Sequence, residues 1–435
     1  MRKLVELPGP PHLPLVGNAL DLLTEQPHVA LAEYTREFGD LLVWWRFDKP
    51  KGLVNDPRLI ERILVEDKDL WIKDSPVDEL RPVVRSSVFI ANPPEWAPKR
   101  RGHPFEQNVL ETWKAEAFPM VFSRFRSVFR KAAQSGEFEL FELVHRACFD
   151  LLADVVLDEP LTDRDYEDYK IMLAEGARRL KVGPISVAPH FEIARRRWWE
   201  RITSLVEERA KHPDPAGTGV LARLLRAGSP LTGDRLVDEI GTIFLAGAGP
   251  IATTIAVAAW NMAKHPHHAD HLGAALREQE AAQNAWTWAT LDAFEPLDRF
   301  LAESLRIIPT VPVITRAVKP GATARLRDVT LEEGDEVFIV QWALHRTKKW
   351  WPEPMKFDPS RFATIPDPFV YMPFGAGERR CVGRPVALYV AKSALAALAR
   401  RWRPEIDTSE AFPTRMYTGF MIPGERIPTR LIEAG

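Results

Sequence analysis

The sequence predicts a mainly α-helical protein with a small β region, on three observations. Apolar residues recur at helical spacing through most of the 435 residues. Runs of period two are few and short. No repeat and no low-complexity linker divides the chain, so one domain over 1–435 is expected.

Taken in order, residues 1–26 read as a Pro-rich extended lead. Glu6 and the prolines Pro8, Pro10, Pro11 and Pro14 interrupt any apolar helix there. No run approaches the roughly 20 apolar residues of a membrane span, and the expectation is a soluble, cytoplasmic protein. The apolar spacing predicts helices at 27–39, 57–66, 95–110, 114–133, 138–157, 163–181, 190–211, 233–264, 267–283, 296–306 and 383–402. The segment 233–264 is the longest. Strands are expected at Leu41–Phe47, Gly52–Asn55, Thr330–Leu331 and Glu336–Val340. From Arg346 to Pro373 the chain is rich in proline and aromatics, which predicts a long loop packed by its own side chains or used functionally.

Composition narrows the function. Lys plus Arg is 58 against 60 for Asp plus Glu, a net charge of −2, so nothing electrostatic favours nucleic acid. Two cysteines, Cys148 and Cys381, rule out a disulfide scaffold and a cysteine-built zinc site. Cys148 lies in an apolar helical run and reads as core. His267 and His271 stand at i,i+4 as metal ligands can, but a surface helix start is the expected reading. Gly247-Ala-Gly249 lacks the lysine and the strand of a phosphate loop.

Cys381 is different. It sits in Phe374-Gly375-Ala-Gly377-Glu-Arg379-Arg380-Cys381-Val-Gly383, just before an apolar helix, so that 374–402 forms a cysteine loop and its following helix. Glycines let backbone approach a flat ligand closely. The helix N-terminus, Arg379 and Arg380 are expected to favour the thiolate. A thiolate in a tight loop suits an axial ligand to haem iron.

The pattern Phe374-x-x-Gly377-x-Arg379-x-Cys381-x-Gly383 resembles the haem-binding signature of the cytochrome P-450 superfamily. The resemblance runs from about Pro8 to the C-terminus. It implies the P-450 fold, with haem b between the long helix and the cysteine-bearing one and Cys381 as the iron's thiolate. Glu303-Ser-Leu-Arg306, 78 residues before the cysteine, is similar to the family's Glu-x-x-Arg pair, with Arg361 as the second arginine of that network. Trp96 and Arg100, at the start of a helix, resemble the family's propionate donors, with Pro98 tolerated only in the first turn. Arg316 and Arg379 resemble two further propionate arginines, and Phe374, Gly375 and Gly383 complete the cofactor set.

The long helix departs from the family's pattern. Aligned on Ala246-Gly247 and on His265-Pro266, Gly249 stands where the family has an acid and Pro250 where it has threonine; a competing register matches Thr253-Thr254 to the family's Thr-Thr pair but needs a three-residue deletion inside the helix. Pro250 removes the N–H that Ala246 would bond, so a kink or local opening is expected. Thr253 and Thr254 either face the oxygen groove from the next turn or back-bond to helix carbonyls. Three functions follow from this: a monooxygenase that draws protons elsewhere, a peroxide-using or rearranging relative, or a non-catalytic haem sensor or carrier-docking protein. The first is favoured.

The resemblance puts Val88, Phe89, Phe244, Val311, Val313, Ile314, Phe420 and Met421 at the substrate pocket, which implies a hydrophobic or amphipathic small molecule of secondary metabolism. Arg178, Arg179, Lys181 and Arg195–Arg197 are expected to form a solvated basic face, with an acidic or carrier-tethered substrate as the alternative. Lys99, Arg101, Arg380 and Arg384 are expected to form a basic face that receives an acidic ferredoxin, itself served by a ferredoxin reductase and NAD(P)H. A monomer is expected.

Overall fold

A computed structural model describes residues 2–434 apart from 23, 25, 74, 107–108, 183–188, 229–230, 284 and 418. Ten helices carry the argument: α1 Pro27–Phe38, α2 Trp96–Gly102, α3 Val109–Ser135, α4 Leu140–Leu157, α5 Asp163–Val182, α6 Pro189–Lys211, α7 Asp234–Lys264, α8 Pro266–Gln283, α9 Glu295–Ile307 and α10 Arg384–Ala399. Most fall within a few residues of the ranges that apolar spacing predicts.

Two expected helices are cut short. The segment 95–110 is helical only to Gly102, and Pro104 begins a separate 3-10 turn, because proline cannot donate to the preceding turn. The segment 57–66 is α-helical over Pro57–Glu61 and passes into π geometry at Arg62–Glu66.

The main sheet has five strands: β1 Leu41–Arg46, β2 Lys49–Val54, β3 Trp71–Ile72, β4 Ile314–Val318 and β5 Glu336–Ile339. Their order is β1-β2-β5-β4-β3. The β2–β5 pair is parallel and sets Lys51 opposite Glu336, where the two side chains form a buried ion pair of 2.6 Å. A later hairpin joins β6 Thr414–Tyr417 to β7 Phe420–Pro423, with Tyr417 opposite Phe420. The period-two signal missed this hairpin, β3 and β4 because all are short and mixed in character.

The largest core cluster runs through α3 to α10, with α7 at its centre. Among the described residues α7 alone is long and apolar enough to cross a bilayer by composition, and it is mostly buried inside the protein. Pro250 does not interrupt it: the helix runs unbroken from Asp234 to Lys264. The expected opening is confined to one missing hydrogen bond, since Ala246 and Gly247 are small enough to receive the proline ring one turn back. Cys148 is buried in this core, and burial pushes its thiol far above the ordinary range.

Candidate functional site

Nearly every residue of α7 between Leu236 and Met262 is buried. Ala246 is exposed, and Gly247 and Pro250 are half-buried. At i, i+1 and i+4 these three share one stripe of the helix. A surface that opens in the middle of a core helix borders an internal cleft. Phe89, Val311, Val313, Ile314, Phe374 and Gly375 are half-open in the same way, and Cys381 is exposed. α10 packs against α7, which brings the loop that leads into α10 toward the helix that carries the open stripe.

The loop is built for close approach. Gly377 has φ +71°, and a Cβ there would stand 2.2 Å from the carbonyl oxygen of Leu64. Only glycine fits. The N–H of Cys381 donates to the Phe374 carbonyl at 2.8 Å, which closes the loop on itself. Cys381 meets solvent, yet protein surrounds it closely, as expected at the floor of a deep cleft. That enclosure is the largest influence on its thiol and pushes it up. The N–H groups of Gly383 and Arg384 and the charges of Arg100 and Lys73 pull it down. The cations that act most on the sulfur are thus Arg100 and Lys73 rather than Arg379, whose guanidinium is held over Trp96.

Arg379, Trp96 and Arg100 come together. The Arg379 guanidinium lies over the Trp96 ring at 4.7 Å and donates through Nη1 to the Ala91 carbonyl at 2.8 Å. Its Nη2 is buried with no hydrogen-bond partner, and burial lowers its pKa to about 10. Arg100 Nη1 donates to the Arg380 carbonyl at 2.7 Å, tying α2 to the cysteine loop. Pro98 falls in the first turn of α2, where it is tolerated. Arg316 is buried on β4, where its Nη1 donates to the Thr315 carbonyl. Ile314 on the same strand reaches the loop, 3.6 Å from where a Cβ on Gly375 would stand.

Behind the loop, Glu303 and Arg306 are fully buried and bidentate, at 2.7 and 2.8 Å. Arg361 lies 3.6 Å from the same carboxylate, which also accepts from the Asp358 N–H at 2.8 Å. Arg306 Nη1 donates to the His345 carbonyl at 2.8 Å. The long Pro-rich segment is therefore pinned to α9 by one buried carboxylate.

Several sequence expectations are corrected. Phe244 is fully buried between Phe149 and Trp198, with ring centroids at 5.8 and 5.7 Å, and belongs to the core. Met421 is also fully buried, and its carbonyl accepts from the Thr253 hydroxyl at 2.8 Å. The Thr254 hydroxyl back-bonds to the Pro250 carbonyl at 2.9 Å and meets Thr310 Oγ1 at 3.2 Å. Both hydroxyls are thus already engaged, Thr253 with the hairpin and Thr254 by the back-bonding that the sequence offered as one of two alternatives. Phe420 and Val88 are nearly buried; the Val88 N–H donates to Glu239 Oε1 at 2.8 Å. Lys99 is buried with its ammonium on the Ser86 carbonyl, which removes it from the basic face that Arg101, Arg380 and Arg384 expose. Arg178 and Arg179 pair with Glu175, Arg195 with Glu192 and Arg197 with Asp168, so the expected basic face is largely neutralised. The Lys181 side chain lies outside the described residues. His267 and His271 are exposed at the start of α8, in keeping with the surface-helix reading, with tilted rings whose centroids are 4.2 Å apart; no metal-binding group of three occurs among the described residues. A groove of about 1020 Å³ along α6, lined by Arg85, Trp199 and acidic residues, shares no residue with the cysteine loop.

The sequence could not point to Ala91, Lys73 or Leu64, whose contributions are largely backbone atoms or long-range charge and carry no motif.

The donor set fits a haem. A thiol stands open on a glycine-lined floor, a small-residue stripe forms the roof, and Arg379 offers a buried, unpartnered N–H group beside Trp96. Residues 7–429 match the family model described as Cytochrome P450. Curated relatives span most of the chain. Cyclooctatin synthase of Streptomyces melanosporofaciens is 26% identical over 91% of this chain and 89% of its own length. Geraniol 8-hydroxylase of Swertia mussotii is 25% identical over 90% and 85%. Probable cytochrome P450 4aa1 of Drosophila melanogaster is 24% identical over 92% and 84%.

Proposed function

The chain belongs to the cytochrome P450 family, whose members are haem b monooxygenases, and we propose that it oxidises a hydrophobic or amphipathic small molecule of terpenoid type. The observation that carries this reading is the open Cys381 thiol on the glycine loop that leads into α10, which packs against α7 and its open stripe Ala246, Gly247 and Pro250. The substrate class rests on the half-buried apolar lining of Phe89, Val311, Val313 and Ile314. Two relatives, named for cyclooctatin synthesis and for hydroxylation of geraniol, support it.

Bound haem supplies the iron centre at which dioxygen is activated. The chain's residues do the rest. Cys381 would hold the iron through its sulfur, and the metal's charge would offset the burial that pushes the free thiol up. Arg100, Arg316 and Arg379, with the Trp96 N–H, would hold the haem's carboxylates. Glu303, Arg306 and Arg361 keep the loop behind the haem from moving. Ala246 and Gly247 leave room for oxygen against α7, and the Ala246 carbonyl, freed by Pro250, is a hydrogen-bond acceptor at the groove.

The oxygen-activating helix is atypical in this reading, with Gly249-Pro250 in place of the acid–threonine pair. Because the Thr253 and Thr254 hydroxyls are committed elsewhere, a second reading is a peroxide-using or rearranging enzyme that needs no such pair. Electrons come from a separate ferredoxin and ferredoxin reductase with NAD(P)H, and the exposed Arg101, Arg380 and Arg384 suit an acidic partner. A monomer in the cytoplasm completes the reading.

The test is a screen of the ferric protein against terpenoids, organic acids, aromatics and macrocycles for the low-spin to high-spin change. Hits are then compared for turnover with reductase and oxygen or with peroxide alone. Terpenoid hits turned over with reductase support the first reading. Turnover with peroxide alone supports the second. Shifts confined to another class refute the substrate assignment.

A further inference from the structure

Residues 85–91 belong to no helix or strand, and side chains from both flanks hold their backbone. The segment begins at Arg85, whose φ of +50° is costly for a residue that carries a side chain. Such a turn keeps its shape only where its surroundings fix it. Within the segment the Ser87 N–H donates to the Val84 carbonyl at 3.4 Å, and the Ile90 and Ala91 N–H groups donate to the Ser87 carbonyl at 3.2 and 3.1 Å. The N–H groups of Ser86 and Val88 go to α7 instead. Ser86 donates to Asp238 Oδ2 at 3.2 Å, and Val88 donates to Glu239 Oε1 at 2.8 Å. Asp238 Oδ1 also pairs with the Arg85 guanidinium at 3.0 Å. One turn on, the Thr242 hydroxyl donates to the Val84 carbonyl at 3.3 Å.

The other flank faces the cysteine loop. The Lys73 ammonium donates to the Phe89 carbonyl and lies 4.4 Å from the centre of the Phe89 ring. The charge of Lys73 is among those that act on the Cys381 sulfur, so Phe89 stands on the cysteine side of the segment. The Ala91 carbonyl accepts from Arg379 Nη1 at 2.8 Å. One short segment therefore joins α7 to the half-open Phe89 and to the arginine of the cysteine loop.

The two carboxyl groups are not equal in this. Ser86 is exposed, so water can take the place of Asp238 at its N–H. Val88 is nearly buried and Glu239 fully so, and an N–H left without a partner there costs its full desolvation. Glu239 Oε2 has no hydrogen-bond partner among the described residues, so the bond to Val88 is what the carboxyl supplies. Burial raises its pKa to about 8, and at neutral pH it is largely a neutral acid whose carbonyl oxygen meets the Val88 N–H. A glutamine amide offers the same acceptor.

We propose that Glu239 is a positioning residue for the substrate pocket: by holding the Val88 N–H it fixes residues 85–91, and with them the place of Phe89 in the pocket wall. This deepens the reading above and rests on it. Glu239 acts through the backbone of Val88, not by contact with the ligand. A wall fixed beforehand spares a bulky ligand the cost of ordering it on binding.

The test compares Glu239→Gln, which keeps the acceptor, with Glu239→Leu, which fills similar space without it. Two nitrogen ligands of the ferric protein serve as probes: imidazole, which needs only the iron, and 4-phenylimidazole, whose second ring must also fit the wall. In optical titrations 4-phenylimidazole is expected to bind at least fivefold more weakly to Glu239→Leu and within twofold of the wild type to Glu239→Gln. Imidazole is expected to stay within twofold in both. Independently of the haem spectrum, hydrogen exchange read by mass spectrometry is expected to be at least tenfold faster for the peptide spanning 84–92 in Glu239→Leu alone, with α10 unchanged. Where Glu239→Leu does not fold, Glu239→Asp, which draws the acceptor back by one methylene, takes its place, with at least a threefold selective loss expected. Unchanged or tighter 4-phenylimidazole binding in the acceptor-deficient variant overturns the proposal. So does an equal loss for both probes, or faster exchange in α10 as well, which marks a general structural role, and so does a failure of Glu239→Gln to match the wild type. A wild type that gives no spectral change with imidazole overturns the haem reading itself, whereas a wild type that binds both probes, with unaltered variants, overturns the positioning role alone.

Discussion

A Cβ on Gly249 would stand 2.6 Å from the ring of Phe420. The tip of the last hairpin therefore fills the space that a side chain at 249 needs. The helix position that resembles the family's acid is not simply vacant; an aromatic ring closes it.

Gly249→Asp should thus fail to restore an acid relay. The nearly buried Phe420 must give way, at a cost of about 1–3 kcal/mol for overpacking. A lower melting temperature and a weakened substrate-induced spin shift are expected. Unchanged values for both would show that Phe420 moves freely.

Removing Glu303 leaves Arg306 buried without its partner. Glu303→Ala is expected to cost about 3–5 kcal/mol. The haem content of purified protein should fall with it, because the segment that Arg306 and Arg361 pin lies behind the cysteine loop. Urea unfolding and the ratio of haem to protein absorbance measure the two effects.

Glu239 is fully buried on α7 and accepts from the Val88 N–H, with His103 Nε2 at 3.8 Å and Lys99 and Asp238 acting on it through their charges. Burial raises its carboxyl from an ordinary 4.5 to about 8. Between those values the folded protein holds a proton that the unfolded chain releases. This contribution to stability is fully present below about pH 4.5 and is lost as pH rises through about 8. Glu239→Gln still accepts from Val88 but does not titrate. From about pH 6 to about pH 8 the wild type should lose about 2–3 kcal/mol relative to this variant. Parallel unfolding curves at the two pH values would contradict the assignment.

The exposed Arg380 and Arg384 flank Cys381 in sequence. Reversing both charges, Arg380→Glu with Arg384→Glu, is expected to slow ferredoxin-driven haem reduction by tenfold or more at low salt and far less at high salt. Equal rates at low salt would remove this face from the docking surface.

Much of this was legible in the sequence, for identifiable reasons. Helices such as α6 and α8 bury one stripe, which the 3.6-residue period displays directly, while α7 and α10, buried nearly all round, show as long apolar runs. The cysteine loop was legible because its backbone geometry demands glycine, as Gly377 against Leu64 shows. The pocket was less legible. Phe244 and Phe89 are alike as residue types, and only packing against Phe149 and Trp198 turns the first into core. Lys99 was misread for the same reason: a lysine on a short helix carries no mark of the Ser86 carbonyl that buries it.

The central claim is that Cys381 holds haem as a thiolate. The most direct measurement is the absorption spectrum of the reduced, carbon monoxide-bound protein, for wild type and for Cys381→Ser. The account predicts the red-shifted band of thiolate-ligated haem in the wild type and its absence in the variant. A wild type that binds no haem, or a variant that keeps the band, would contradict it.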